Sequence, residues 1–149
     1  MRTVYDVGGL DAADVHRAYA VIQHVMPGLD LEAWKTLTAT VDARHDWLTV
    51  MDAHGYIRGL CYVFTREHPV RGSQMEVPIF ASVSLVDKRG VARELFELAK
   101  SRARQAGVET IHFWSAGSAN WESLMKLREA APWDDGVMYD LRTDRTFLC

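Results

Sequence analysis

The run VDKRGVARELFELAKSRARQAG, residues 86–107, contains residue types and spacing suited to anion chemistry. Lys88 and Arg89 stand directly before Gly90-Val91-Ala92, where an apolar, strand-like run gives way to a helical pattern. Small residues at a helix start let backbone N–H groups come close to a phosphate, and the helix dipole adds positive potential there. Two cations at a helix N-terminus oppose that dipole, so their placement makes better sense if an anion sits between them. A tight turn that binds nothing is the plain alternative. The chain lacks Gly-x-x-x-x-Gly-Lys-Ser/Thr, and a dinucleotide fingerprint would need a third glycine, which disfavours both of those phosphate sites.

Other reactive side chains point to less. Cys61 lies inside the apolar run GLCYVF and reads as a small buried hydrophobe, and Cys149 ends the chain. Neither belongs to a Cys-x-x-Cys pair, and two such cysteines do not make a disulfide framework. His16 and His24 fall on a helical segment, His45, His54 and His68 in loops or turns, and His112 in a strand; none has ligand spacing, so no metal site is expected. A lone strand histidine such as His112 is more often a hydrogen-bonded structural residue than a base.

The chain has 149 residues, 48% hydrophobic and 25% charged, the profile of one domain (1–149) with a real core. With 17 Lys and Arg against 20 Asp and Glu, the net charge of -3 argues against general nucleic-acid binding. The distribution is uneven: residues 88–104 carry six basic and two acidic side chains, a net +4, which leaves -7 for the rest. A solvated helix face explains the basic residues toward the end of that segment, but not Lys88 and Arg89. No apolar run approaches the ~18 residues of a membrane span, and no basic leader precedes one, so a soluble cytoplasmic protein is expected.

The elements that must position the turn follow from periodicity. A short strand near 2–7 ends at Gly8-Gly9. A helix over about 12–25, capped by Asp11, places Val15, Tyr19, Ile22 and Met26 on one face before Pro27-Gly28. A second helix after Asp30 aligns Leu31, Trp34, Leu37 and Val41. Strands 46–51 and 56–65 flank the polar turn Asp52-Ala53-His54-Gly55 as an antiparallel hairpin. After a break at 67–73, a strand is expected from Met75 to Val86, followed by the helix with Val91, Leu95, Leu98, Ala99 and Ala106 on one face and Gly107 as its stop. A strand at 109–114, a helix near 119–130 and a last strand from Val137 to about Arg142 complete the chain. The 86–107 connection is long enough for a crossover, so strands 75–86 and 109–114 should be parallel in an otherwise antiparallel α/β (α+β) sheet flanked by about four helices.

This order of elements, together with VSLVDKRGVARELFELAKSRARQAGVETIHF, resembles the GNAT superfamily of acetyl-CoA-dependent N-acetyltransferases, over nearly the whole chain. The resemblance rests on the Arg/Gln-x-x-Gly-x-Gly/Ala motif, whose backbone amides hold the pyrophosphate of coenzyme A in that family. It implies a cradle of Lys88, Arg89, Gly90, Val91, Ala92 and Arg93. Asp87 stands where the family has Arg or Gln; a loop shortened by one residue would put Lys88 in that place and turn Asp87 away, since an aspartate beside a pyrophosphate is repulsive.

By the same resemblance, main-chain groups from Ser82, Val83, Ser84 and Leu85 would face the pantetheine and the thioester. Asn120 matches the family's asparagine after the fifth strand. Leu127 occupies the place of the usual tyrosine acid, leaving Tyr139, a water held by Asn120 or Ser118, or no catalysis at all. The attacking amine must lose a proton, and Glu76, on the strand leading toward the thioester, is the first candidate base, with His112 behind it. The implied function is acetyl transfer from acetyl-CoA to a primary amine of a small molecule or peptide, with a catalytically silent module that binds CoA or a protein partner as the alternative. The acceptor would meet the first two helices and the 66–74 loop, and the last strand, 137–142, would offer a sheet edge for a homodimer.

Overall fold

Alternating apolar runs rich in Val, Ile, Leu and aromatics assemble one seven-stranded sheet in the order β1 to β7. The structure, a computed structural model, describes residues 4–115, 120–130 and 136–148. The strands are β1 (Asp6–Gly9), β2 (Trp47–Met51), β3 (Ile57–His68), β4 (Gly72–Ser82), β5 (Thr110–Phe113), β6 (Val137–Asp140) and β7 (Arg145–Leu148). All neighbours pair antiparallel except β4 and β5, which run parallel. The helices are α1 (Val15–Val25), α2 (Leu31–Leu37), α3 (Val41–His45), α4 (Lys88–Gln105) and α5 (Trp121–Ala130).

Each sheet face carries its own core. On one face α4 buries Val91, Leu95, Ala99 and Ala103 at four-residue intervals against Leu48, Val50, Cys61, Val63, Met75, Val77 and Ile111. Each of the larger side chains contributes about 1.5–3 kcal/mol by its removal from water. The helix sits so close that a Cβ on Gly59 would lie 2.9 Å from Val91 Cγ1. On the other face α1, α2 and Leu124 of α5 cover Leu60, Tyr62, Phe64, Ile79 and Ala81. Trp34 anchors that side: its indole N–H donates to the Val15 carbonyl at 2.7 Å, and its ring meets Trp47 edge-on at 4.8 Å.

Several sequence expectations need correction. The first strand is Asp6–Gly9 and includes both glycines, while residues 1–3 lie outside the described residues. A 3-10 turn over Ala12–Asp14 precedes α1, and the Asp11 side chain makes no cap. The second helical segment splits because Thr40 caps α3 through its Oγ, which accepts from the Ala43 N–H, so Val41 is exposed rather than aligned with Trp34. The expected break at 67–73 is ladder instead: Glu67 pairs with Ser73 and His68 with Gly72 around a tight turn. β4 stops at Ser82, and Leu85 and Val86 stand fully exposed in the loop beyond it. The strand at 137 is not an edge, because β7 pairs with it after Asp144, which takes a left-handed φ of 56°. A dimer through 137–142 therefore has no free edge to use. Trp133, Ser118 and Cys149 lie outside the described residues. No helix among the described residues is long and apolar enough to cross a membrane.

Candidate functional site

The site begins where two parallel strands part. β4 and β5 share three rungs, Met75 with Ile111, Glu76 with His112 and Val77 with Phe113, and a last bond runs from the Trp114 N–H to the Val77 carbonyl at 3.1 Å. Beyond Val77 comes Pro78, which has no N–H to give. Tyr62 pairs with Ile79 but Phe64 with Glu76, so β4 carries one extra residue at Val77-Pro78, a β-bulge. From there to Ser82, β4 is bonded to β3 alone among the described residues, which leave its other edge open toward the end of β5.

On the α4 side of this parting lies a groove of about 570 Å³ lined by Phe80, Arg89, Ala92, Arg93, Phe96, Phe113 and Thr146. Its aromatic walls are locked edge to face: Phe113 meets Phe80 and Phe96, each at 5.7 Å. Arg89 and Arg93, four residues apart on α4, bring positive charge to it. Of the expected cradle, Arg89, Ala92 and Arg93 thus line one surface. Lys88 is exposed at the helix start, and the Val91 side chain is core. The loop before α4 is folded on itself: Ser82 Oγ donates to the Lys88 carbonyl, the Val83 N–H to the Arg58 carbonyl, and Ser84 Oγ accepts from the Asp87 N–H. The Val83 amide is therefore already spent, and the Leu85 side chain projects into solvent.

Asp87 corrects the sequence reading. It does not turn away but is the N-cap of α4, its Oδ1 accepting from the Gly90 N–H at 3.1 Å while Tyr5 donates its hydroxyl hydrogen to Oδ2 at 2.5 Å. Helix geometry leaves the first-turn amides without internal acceptors, and here a carboxylate of the chain itself takes one of them. The fit requires glycine: a Cβ at position 90 would lie 2.1 Å from Asp87 Oδ2.

The opposite sheet face holds the acid-base candidates. Met75 and Val77 face α4, so the alternation of the strand points Glu76 the other way, together with its cross-strand partners Phe64 and His112. Glu76 is fully buried and its carboxylate is saturated: Arg66 Nε donates to Oε1 in a short ion pair, Gln74 Nε2 lies 3.3 and 3.4 Å from the two oxygens, and His112 Nδ1 is 2.9 Å from Oε2. Such a charge persists out of water only when paired and hydrogen-bonded. Arg66, Gln74 and the aromatic shelf of Tyr62, Phe64 and Trp114 were not foreseen. Arg128 of α5 donates to Tyr62 Oη at 2.9 Å and stacks on Phe64 at 4.4 Å, while burial pushes the Tyr62 phenol up.

The remaining candidates are held apart. Asn120 caps α5, its Oδ1 accepting from the Ser123 N–H at 2.9 Å. Tyr139 faces α4, packed edge-on against Phe96 at 4.9 Å, and pairs with Ile111, two residues short of the parting. Its buried hydroxyl has no hydrogen-bond partner among the described residues, and the sheet separates it from Glu76. Burial also pushes the Cys61 thiol far up, as its reading as a core hydrophobe requires. Among the described residues no cluster of His, Cys, Asp and Glu could hold a metal ion.

No protein-family model and no curated protein matches the chain at the sequence level. Solved structures do. The chain is similar to the aminoglycoside N-acetyltransferase AAC(6')-Iy in complex with CoA, at 14% identity and a TM-score of 0.63 over 91% of both chains. It is also similar to glucosamine-6-phosphate N-acetyltransferase from Arabidopsis thaliana, at 10% identity and a TM-score of 0.62 over 89% of this chain and 94% of that one. A third likeness is to the ribosomal-protein-alanine N-acetyltransferase from Brucella melitensis biovar Abortus 2308, at 16% identity and a TM-score of 0.58 over 86% and 90%. The parted parallel pair, the bulge before it and these likenesses define the architecture: the chain has the GNAT fold.

Proposed function

We propose that the protein is an acetyl-CoA-dependent N-acetyltransferase that moves an acetyl group to a primary amine of a small molecule or peptide by direct attack. The observation that carries this is the parting of β4 from β5 at Val77 and Phe113, directly beside a groove that receives Arg89 and Arg93 from α4. The open β4 edge offers main-chain groups to an extended pantetheine arm, and the aromatic groove with its two arginines suits a molecule that is apolar along one stretch and anionic at the other. Lys88, Arg89, Gly90 and Arg93 would meet the pyrophosphate, with Ala92 keeping the approach open. The Ser82 to Leu85 segment would border the thioester end, with Asn120 at the start of α5 nearby. The attacking amine would approach from the opposite face, where its proton leaves toward the buried Glu76 and His112 pair.

Calorimetric titration with acetyl-CoA and with CoA tests the cofactor, repeated on Lys88→Ala/Arg89→Ala. Micromolar binding weakened roughly tenfold or more in the double variant supports it, by the loss of two phosphate-facing charges. No binding to the intact protein refutes it. A second reading, a silent module that binds CoA or a protein partner, is favoured by two observations: Asp87 sits in the cradle, and position 127 in α5 carries Leu. Binding of acetyl-CoA without transfer to any amine in a broad panel would select that reading.

A further inference from the structure

Resting on the transferase reading, we infer that the acceptor is an amine that also carries an anionic group, a carboxylate or a phosphate, and that Arg128 of α5 holds that group on the face opposite the cofactor groove. The charges of that face do not cancel. Arg66 is matched by Glu76, whose carboxylate His112 shares. Arg128 is exposed and makes no ion pair among the described residues. Asp46 is close enough to feel its charge, but the two are not paired. The guanidinium is nonetheless held in place: its Cζ lies 4.4 Å from the Phe64 ring centroid, and one N–H donates to Tyr62 Oη at 2.9 Å. Both supports are buried, so the cation stands on a rigid floor with further N–H groups to give.

Two more donors gather round the same ring. The Trp114 indole, 6.1 Å from Phe64, buries its Nε1–H with no acceptor among the described residues. Tyr62, 5.8 Å from Phe64, accepts from Arg128, and its own hydroxyl hydrogen has no acceptor among them either. Burial pushes that phenol up, so it keeps its hydrogen at neutral pH. Buried donors are as a rule paired, and here the acceptors of the chain are committed elsewhere. Glu76 has given its oxygens to Arg66, Gln74 and His112. Gln74 Oε1, the buried acceptor on this face left without a donor among the described residues, belongs to a side chain with no exposure. An oxyanion brings several lone pairs and no hydrogen, which is what this patch lacks.

The patch adjoins the parting. Trp114 makes the last bond between the two strands, and its alternation with Phe113 puts its ring on the face away from the groove. An amine at the parting has Phe64, and Arg128 stacked on it, as neighbours on that face.

The test is ¹H–¹⁵N NMR of protein labelled on tryptophan, with the Trp114 Nε1–H signal assigned by its absence in Trp114→Phe. Propionate and inorganic phosphate are each titrated to about 50 mM, enough to detect weak millimolar binding. At least one should shift that signal, and the anion that acts at lower concentration names the group. The shift should vanish in Arg128→Met, which keeps a flexible apolar chain over Phe64, and survive in Lys88→Ala/Arg89→Ala, which removes charge from the α4 start. No shift with either anion, or an equal shift in Arg128→Met, overturns the inference. Arg128→Gln takes the place of Arg128→Met if melting temperatures show that the latter does not fold. Turnover is then compared across an amine panel that includes β-alanine, phosphoethanolamine and ethanolamine. Arg128→Met should raise KM for the anionic amines about 10- to 100-fold with kcat nearly unchanged, and leave neutral amines as they were. Arg128→Lys should restore part of the loss. Equal kcat/KM for anionic and neutral amines overturns the inference while the transferase reading stands. Acetyl-CoA binding with no transfer to any amine overturns both.

Discussion

Asp87→Asn is the most informative single change, because it removes the charge and keeps the cap. Asparagine caps helices as well as aspartate does: its Oδ1 can still accept from the Gly90 N–H, while Nδ2 in the place of Oδ2 can only donate to the Tyr5 oxygen. With the carboxylate oxygen 3.1 Å from the Gly90 nitrogen, a phosphate oxygen seated on the same helix start would lie within about 4 Å of it. The repulsion between two unit charges at that distance is about 1 kcal/mol in bulk water and about 4 kcal/mol at the effective dielectric of a protein surface. Asp87 is half-buried and the site opens to solvent, so the lower part of that range applies. Acetyl-CoA should therefore bind Asp87→Asn roughly 5- to 30-fold tighter than wild type, and the gain should shrink as salt rises from 0.05 to about 0.5 M. Calorimetry at both salts is the assay, with melting temperatures confirming that the cap survives. Equal or weaker binding in the variant would refute the idea that this carboxylate competes for the cradle, whether or not the wild type binds.

Other expectations follow from the same geometry. Gly90→Ala should lose both acetyl-CoA binding and stability, since its Cβ would collide with Asp87; binding and thermal unfolding check it together. Leu95→Ala opens a cavity under α4 where the native side chain is fully buried, and should cost about 3 kcal/mol, roughly a 6–12 °C fall in melting temperature by calorimetry. In a Cys149→Ser background Cys61 should resist iodoacetamide at pH 8 and react only on unfolding, because burial raises its thiol far above the assay pH; labelling stoichiometry by mass spectrometry reads this directly.

The legible part of the fold was the part whose signals are local. Periodicity and Gly107 outlined α4, which buries Val91, Leu95 and Ala99 as expected but leaves Leu98 half-buried and Ala106 exposed as the C-cap, with Ala103 buried in the last turn instead. The length of that crossover made β4 and β5 parallel. Signals failed where hydrophobicity and structure disagree. Leu85 and Val86 read as strand because they are apolar, yet they stand in solvent beyond the end of β4. β7 went unread because four residues after a left-handed Asp144 give too short a pattern to separate from a tail. The contact between Glu76 and His112 was beyond sequence for a different reason. The two are 36 positions apart, and only the parallel register decides whether they meet. A shift of one residue would have sent one of them to the α4 face.

Asp87 shows how local and functional rules compete for one position. Capping chemistry alone favours aspartate before Lys88, and the expectation that it would turn away came from giving phosphate repulsion precedence over the cap. The cap prevails here, and the carboxylate takes the amide that a pyrophosphate would want. The two demands can coexist only if the ligand gains more from Lys88, Arg89, Arg93 and the remaining amides than the chain loses by giving up Asp87 and its bond from Tyr5. If the proposed function holds, the affinity of this helix start is a difference between two anions competing for it. A chain with arginine or glutamine in that place would have no such contest.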